Sequence, residues 1–297
     1  MRTILSVSIP VVMMAVIISG CATLNEADFV TVPAPPPPPA VLFSYQPPAE
    51  GSPTNVSIGV VSATYATDVQ IGPQLGQRNY NLTDELRNSL SRDIQRVLVA
   101  KGFTVAGEFP TLDQMTFPQK DKTLMVLVPT ITLSLQRQAA PPQLIYWRSG
   151  VNSEGQVTDA PTSFPLKVYT KHQVFMGGLK YVQTGDYVIS GSVDLKLIEP
   201  LTGQTLWVNT VPINQLTQDW SYYFWQTQIT NQQGQVVRSI DHPVQGYDGR
   251  EAAAITLLSK AYHETMTQLN TYLSREQIMQ LTSDAQKLKD RWRSGGH

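Results

Sequence analysis

The sequence predicts an α/β (α+β) fold: a mixed, largely antiparallel sheet with packed amphipathic helices, carried behind a lipidated N-terminus and a proline-rich linker. Three stretches predict the fold. Residues 55–105 read as strand, helix, strand. Residues 187–213 read as an alternating strand, a turn and a returning strand. Residues 252–273 read as a long amphipathic helix. Helices layered on a sheet are the arrangement that such a mixture favours.

The chain opens with a secretory layout. Arg2 is followed by an apolar run over residues 4–18, then two small residues, then Cys21, the one cysteine of the sequence. A basic start, a short apolar core and a small-residue cleavage site define a signal peptide. Ile18, Ser19 and Gly20 stand where a lipoprotein signal peptidase cuts. Residues 1–20 are therefore expected to be removed, leaving Cys21 as the lipidated first residue. The rival, a retained signal-anchor helix, is disfavoured because the apolar run is shorter than the roughly 20 residues of a comfortable span. More than one acyl chain is needed for a stable anchor, and lipidated N-terminal cysteines carry three. Ala22 rather than aspartate follows Cys21, which favours the outer membrane.

Residues 21–54 read as a linker. Pro35 to Pro39 are five consecutive prolines, and Pro47, Pro48 and Pro53 continue the theme. Such a run adopts polyproline II, a stiff spacer rising about 3.1 Å per residue. Fully extended, it would hold the body up to roughly 100 Å from the lipid. A proline-rich ligand for a partner domain is the alternative; the lack of a basic flank favours the spacer.

The body is expected over 55–273. Residues 55–65 (NVSIGVVSATY) form a strand whose continuous apolar centre suits coverage on both faces. A helix over 83–101 follows, with Leu82, Leu86, Leu90, Ile94, Val97 and Leu98 on one face. Asp84 and Glu85 fall in its first turn, where the helix dipole favours them. Gly102 stops it in the left-handed conformation, and residues 103–105 start the next strand. Residues 122–138 form a third strand, in which Pro129 implies an edge or a bulge. Residues 139–184 read as a polar insert, with a strand over 167–176. Residues 187–198 alternate, with Tyr187, Ile189, Val193, Leu195 and Leu197 on the buried side. Residues 199–203 turn the chain, and 205–213 return. Residues 214–246 read as a second polar insert. Asp248 with Glu251 forms a capping box, and Ile255, Leu258, Tyr262, Met266, Leu269 and Leu273 line the helix that follows. Ser274 with Gln277 restarts the pattern in a charged helical tail over 274–297.

Composition excludes several functions. Cleavage leaves about 275 residues, and losing Arg2 takes the formal net charge from −1 to −2. This is no basic field for nucleic acid or anionic lipid. With Cys21 acylated no thiol remains, so disulfides, zinc–cysteine sites and cysteine catalysis are excluded.

Four stretches together resemble the neuraminyllactose-binding haemagglutinin family, lipoprotein adhesins of Helicobacter. They are residues 94–105 (IQRVLVAKGFTV), 193–206 (VDLKLIEPLTGQTL), 252–273, and 273–294 (LSREQIMQLTSDAQKLKDRWRS). Their order and spacing also fit. The resemblance implies an outer-membrane or cell-surface lipoprotein with an α/β domain. The family is credited with sialic acid binding through a basic stretch after the third strand. Here residues 135–144 (LQRQAAPPQL) hold one basic residue, Arg137, so sialic acid binding is not carried over. Lys167, Lys171 and His172 form a small basic group that does not match that motif and reads as a solvated strand face.

No catalytic motif stands out. There is no nucleophile elbow or phosphate loop, and His172, His242, His263 and His297 lack metal-ligand spacing. No cofactor, metal or enzymatic activity is expected. Residues 219–225 do stand out: Trp220, Tyr222, Tyr223, Phe224 and Trp225 put five aromatics in seven residues. Aromatics can contact a glycan or anchor a protein partner. They can also form the satellite core of a long insert, and core or inter-subunit packing is the favoured expectation. Two function classes follow. One is an adhesin-like lipoprotein on the outer membrane, facing the periplasm or the cell surface, with a protein or glycan ligand. The other is a structural component of an envelope machine, such as a type IV secretion or motility apparatus, assembled as a homo-oligomer or a larger complex.

Overall fold

The computed structural model describes residues 30–31, 43–66, 70–71, 78–144, 146–151, 157–163, 179–231 and 235–295. The signal peptide, Cys21, the polyproline run, and the expected strand over 167–176 with Lys167, Lys171 and His172 lie outside these residues.

In chain order the elements are β1 (Val30–Thr31), β2 (Ser57–Val61), β3 (Thr64–Tyr65), β4 (Gln70–Ile71), α1 (Arg78–Ala100), β5 (Thr104–Phe109), α2 (Phe117–Lys122), β6 (Met125–Ala139), β7 (Gln143–Leu144), β8 (Tyr146–Val151), β9 (Val157–Ser163), β10 (Leu179–Ile198), β11 (Thr205–Thr230), β12 (Val236–Asp248), α3 (Arg250–Tyr272) and α4 (Arg275–Arg293). They divide into two units. In the smaller, β1, β9 and β8 form an antiparallel sheet in that order. Val30 of the expected linker pairs with Ser163 of the expected insert, so both stretches contribute to a sheet.

The larger unit is organised by the expected crossover. β2 and β5 run parallel and adjacent, joined through α1. The sheet order is β12-β11-β10-β6-β2-β5. β6 pairs antiparallel with β10 on one side. On its other side it is served in series by β2, β3 and β4, all parallel. This mixed sheet with packed helices is the architecture expected.

Coverage of β2 on both faces also holds. Ile58 and Val60 belong to the main core, while Val61 packs with Phe109, Met115 and Val126 in a second cluster. The six apolar residues expected on α1 are all buried, as are the six expected on α3. The core between these helices and the sheet gains Tyr187, Ile189, Val193, Leu195 and Leu197 from β10. α1 ends in a Schellman motif: Phe103 N–H donates to Leu98 O and Gly102 N–H to Val99 O, with Gly102 at φ +87°.

Several expectations are corrected. α1 begins at Arg78 rather than at residue 83, so Asp84 and Glu85 lie beyond its first turn. Pro129 is in an interior strand, not an edge. Its missing N–H is accommodated where the parallel neighbour breaks between β2 and β3, since β6 pairs up to Leu127 with one and from Thr130 with the other. In that gap Ala63 N–H donates to the Ser91 hydroxyl of α1 (2.8 Å) instead of to a strand. Within the stretch read as the second polar insert, the described residues continue β11 and β12, paired antiparallel from Tyr222↔Asp248 to Thr230↔Val236. Polar residues on the solvated faces hide these strands in the sequence. Asp248 does not cap α3. The N-cap is Gly249, and the Asp248 carboxylate instead accepts from Arg250. Ser274 does cap α4, accepting from Gln277 N–H.

The folded body starts before residue 55. Phe43 and Tyr45 are buried in the core. Tyr45 N–H and the Tyr262 hydroxyl both donate to Asp93 Oδ2 at 2.6 Å, and Arg96 pairs with Oδ1 at 2.9 Å. Further along, Glu50 accepts from Lys101 Nζ (2.6 Å) and Asn270 Nδ2 (3.0 Å). A strap of otherwise linker-like composition is thus fastened to α1 and α3.

Candidate functional site

The site forms where β6, β10 and β11 meet the start of α3. The β10–β6 register sets Tyr187 opposite Arg137, Asp186 opposite Gln138 and Gly185 opposite Ala139. β11 brings Gln218 to Ser221 alongside. Gly249, Ala252, Ala253 and Thr256 of the α3 end close one wall. The result is a cleft of about 900 Å³.

The aromatic cluster lies behind and beside this cleft. Trp220, Tyr222, Tyr223 and Phe224 are buried. Tyr222 stacks on Phe224 at 4.9 Å, and Phe224 on Tyr181 at 5.5 Å. Tyr223 meets Tyr247 edge-on, and Trp225 stacks on His242 at 3.8 Å. The Arg250 guanidinium covers Tyr222 at 3.6 Å. These rings pack on one another and on cations, and Trp220, Tyr222 and Phe224 belong to the main core.

Trp220 alone among the five lines the cleft. Arg137 covers its face at 4.6 Å and Tyr187 tilts against it at 6.1 Å. Its ring is 4% exposed. Gly185 packs close against the ring, since an added Cβ there would lie 2.6 Å from Cζ2. Nε1 is buried without a hydrogen-bond partner, as are Arg137 Nε and the Tyr187 hydroxyl. A buried orphan donor costs about 1–3 kcal/mol, so three together mark a place where packing alone does not decide the residues. Burial lowers the Arg137 guanidinium below its ordinary value, and raises the Tyr187 hydroxyl, which Arg137 partly opposes. Arg137 Nη2 donates to Gln183 Oε1 at 3.3 Å, and Gln183 Nε2 to Ala140 O at 3.1 Å, tying this layer to the end of β6.

The cleft itself carries two carboxylates, Asp186 and Asp219, within hydrogen-bonding reach of each other. Desolvation, the hydrogen bond that its protonated form donates to Asp219, and the Asp219 charge raise the Asp186 carboxyl above the ordinary 3.8. Among the described residues that line it, none is basic. Chemically, the site offers a paired anionic acceptor, amides from Gln138 and Gln218, hydroxyls, and one buried N–H. Among the described residues no three His, Cys, Asp or Glu side chains are grouped to hold a metal.

Sequence reasoning found Trp220 but missed Asp186, Asp219 and Gly249 as one site. Strand alternation could have placed Asp186 beside Tyr187. Only the register, which the sequence does not print, brings it to β6 and β11.

No protein-family model matches the chain, and no curated protein matches it. Two solved structures are similar in backbone. One is a neuraminyllactose-binding haemagglutinin homolog from Helicobacter pylori, 12% identical, covering 82% of this chain and 98% of its own, with a TM-score of 0.48. The other is a DUF330 protein from Xanthomonas campestris, also 12% identical over 82% and 98%, with a TM-score of 0.29.

Proposed function

We propose that the protein is a non-catalytic lipoprotein, tethered through Cys21 to the outer membrane, whose body acts by binding or assembly. The observation that carries the tether is the run ending in Ile18, Ser19, Gly20 and Cys21. The cleft supports the contact role. It gathers acceptors, amides and an orphan donor, yet sets no nucleophile against a base among the described residues. The resemblance in four stretches to the haemagglutinin lipoproteins supports an adhesin-like role, without the basic stretch credited with sialic acid.

A second reading is a structural part of an envelope machine, such as a secretion or motility apparatus. It is supported by the long β11–β12 hairpin, whose Val236 and Val237 are exposed, a surface suited to a neighbouring subunit.

Protease shaving of intact cells tests between the two. Cleavage of the body supports surface display; protection supports a periplasmic component. A photo-crosslinking residue at Gln218 in the cleft, compared with one at exposed Lys260 on α3, tests the contact role in either compartment. Cross-links confined to position 218 are expected, and equal or no cross-linking at both positions contradicts the cleft as the contact.

A further inference from the structure

The strap at residues 43–54 combines two kinds of sequence. Its composition is that of the spacer before it: Pro47, Pro48 and Pro53 continue the theme of Pro35 to Pro39. Proline supplies no N–H for pairing and favours an extended chain. Its fastening, by contrast, is specific. Phe43, Tyr45 and Pro47 are buried, while Ser44, Gln46, Pro48 and Ala49 are exposed. The bonds gather at two ends. At one, Tyr45 N–H donates to Asp93, Arg92 Nη2 donates to Phe43 O at 3.1 Å, and Phe43 meets Tyr262 at 5.4 Å. At the other, Glu50 and Gly51 N–H donate to Ala100 O at 3.0 and 3.2 Å, and Thr54 N–H donates to Gly102 O at 2.7 Å. Between these ends a cleft of about 510 Å³ opens, lined by Gln46 and Ala49 on one side and by Gln95, Arg96 and Val99 of α1 on the other. Residues 43–54 belong to no helix or strand. The helices beneath do not depend on the strap. α1 and α3 press Leu86, Leu90 and Ile94, and Leu258, Met266 and Leu269, into the same core as β6 and β10.

We infer that the strap is a releasable reserve of the spacer: residues 43–54 leave α1 and α3 as one unit while the rest of the body stays folded. Released, they lengthen the free chain ahead of β2 by roughly 40 Å, at about 3.1 Å per residue of polyproline-like chain. That use rests on reading the linker as the tether of the lipid anchor; the opening itself does not. Opening gives up two aromatic anchors and the bonds at the two ends, and it returns the conformational freedom of the whole segment. A segment with few buried apolar contacts and no place in a sheet or helix opens separately from the core. The prolines keep the released chain extended and out of any competing helix or central strand. The aromatics therefore serve the fastened state and the prolines the released one.

The test is native-state hydrogen exchange of the full-length chain in detergent, across low urea concentrations. The amides of Tyr45, Glu50, Gly51 and Thr54 are expected to exchange together, about a hundredfold or more faster than those of Ile94 and Val97 on α1 and Leu258 on α3. Their urea dependence should be shallower, because the opening exposes little surface. Ile189→Val trims the core on β10 and leaves the bonds of the strap alone. It should speed the α1 and α3 amides several-fold and leave the four strap amides unchanged, because the open state keeps that core. Asp93→Asn should speed the strap amides about tenfold. Cys21→Ala should exchange like the parent chain, so failure of the tether reading and failure of the opening are told apart. Strap amides that exchange at the α1 rate with the same urea dependence, that quicken in step with the core in Ile189→Val, or that are indifferent to Asp93→Asn would each overturn the proposal.

Discussion

Replacing Asp93 should unfasten the strap and cost more than any other single polar change in the body. Its side chain is fully buried. It accepts from Tyr45 N–H and the Tyr262 hydroxyl, each at 2.6 Å, and pairs with Arg96 at 2.9 Å. Burial first, then the bond to Asp93, raises the Tyr262 hydroxyl above its ordinary value, so that phenol stays protonated and donating. Asp93→Ala strands both donors, at about 1–3 kcal/mol each, and leaves Arg96 without its buried partner. Arg96 itself is 43% exposed, so water takes up its charge and the lost pair adds only about 1 kcal/mol or less. Because these terms overlap, a total of about 4 kcal/mol is expected, or about 10 °C in melting temperature for a body of this size. Asp93→Asn keeps the shape and one acceptor, so it should lose about half as much. Urea unfolding followed by circular dichroism reads the stability, and limited proteolysis reads the strap. Residues 43–54 should become cleavable in Asp93→Ala before the rest of the body does. A loss under about 1 kcal/mol, the scale of a surface pair, or a strap cut no sooner than in the parent chain, would refute the reasoning.

Gly102→Ala should destabilise by about 1–2 kcal/mol from the left-handed backbone alone, and by more because its Cβ would collide with Ser52 O; thermal melting checks this. Trp220→Ala should cost about 3–5 kcal/mol as a core truncation, whereas half-buried Trp225→Ala should cost clearly less, and equal losses in urea unfolding would contradict the burial difference. Glu50 is held below its ordinary 4.5 by its hydrogen bonds from Lys101 and then Asn270. Its contribution is therefore complete above pH 4.5 and is lost as pH falls through the depressed value. Glu50→Gln should flatten that acid limb in a pH series of melting temperatures, and an unchanged slope would contradict the assignment.

Where side chains repeat with a period, the sequence revealed the fold well. Leu86, Leu90 and Ile94 on α1, and Leu258, Tyr262 and Met266 on α3, mark their buried faces before any coordinates exist, because a helix on a sheet must show one apolar stripe. Ile189, Val193 and Leu195 do the same for β10 at period two. The failures also have physical causes. β11 and β12 run past residue 213 with many polar side chains on solvated faces, and the buried Trp220, Tyr222 and Phe224 of β11 read as an aromatic cluster before they read as a strand. The strap at 43–54 carries Pro47, Pro48 and Pro53 and looks like spacer. Its attachment depends on Asp93 and Lys101, distant residues that only tertiary structure brings near. The candidate site was half legible. Trp220 announced itself by composition, but Asp186 and Asp219 are ordinary acids until the register of β10 against β11 sets them together.

The tether on which the functional reading depends is tested most directly by intact-protein mass spectrometry of the chain extracted from membranes. The account predicts a polypeptide that begins at Cys21 and carries the added mass of acyl chains on that residue, with Cys21→Ala released from the membrane fraction. A chain that retains Met1 with a free thiol at Cys21, or a Cys21→Ala variant that remains membrane-bound, would contradict it.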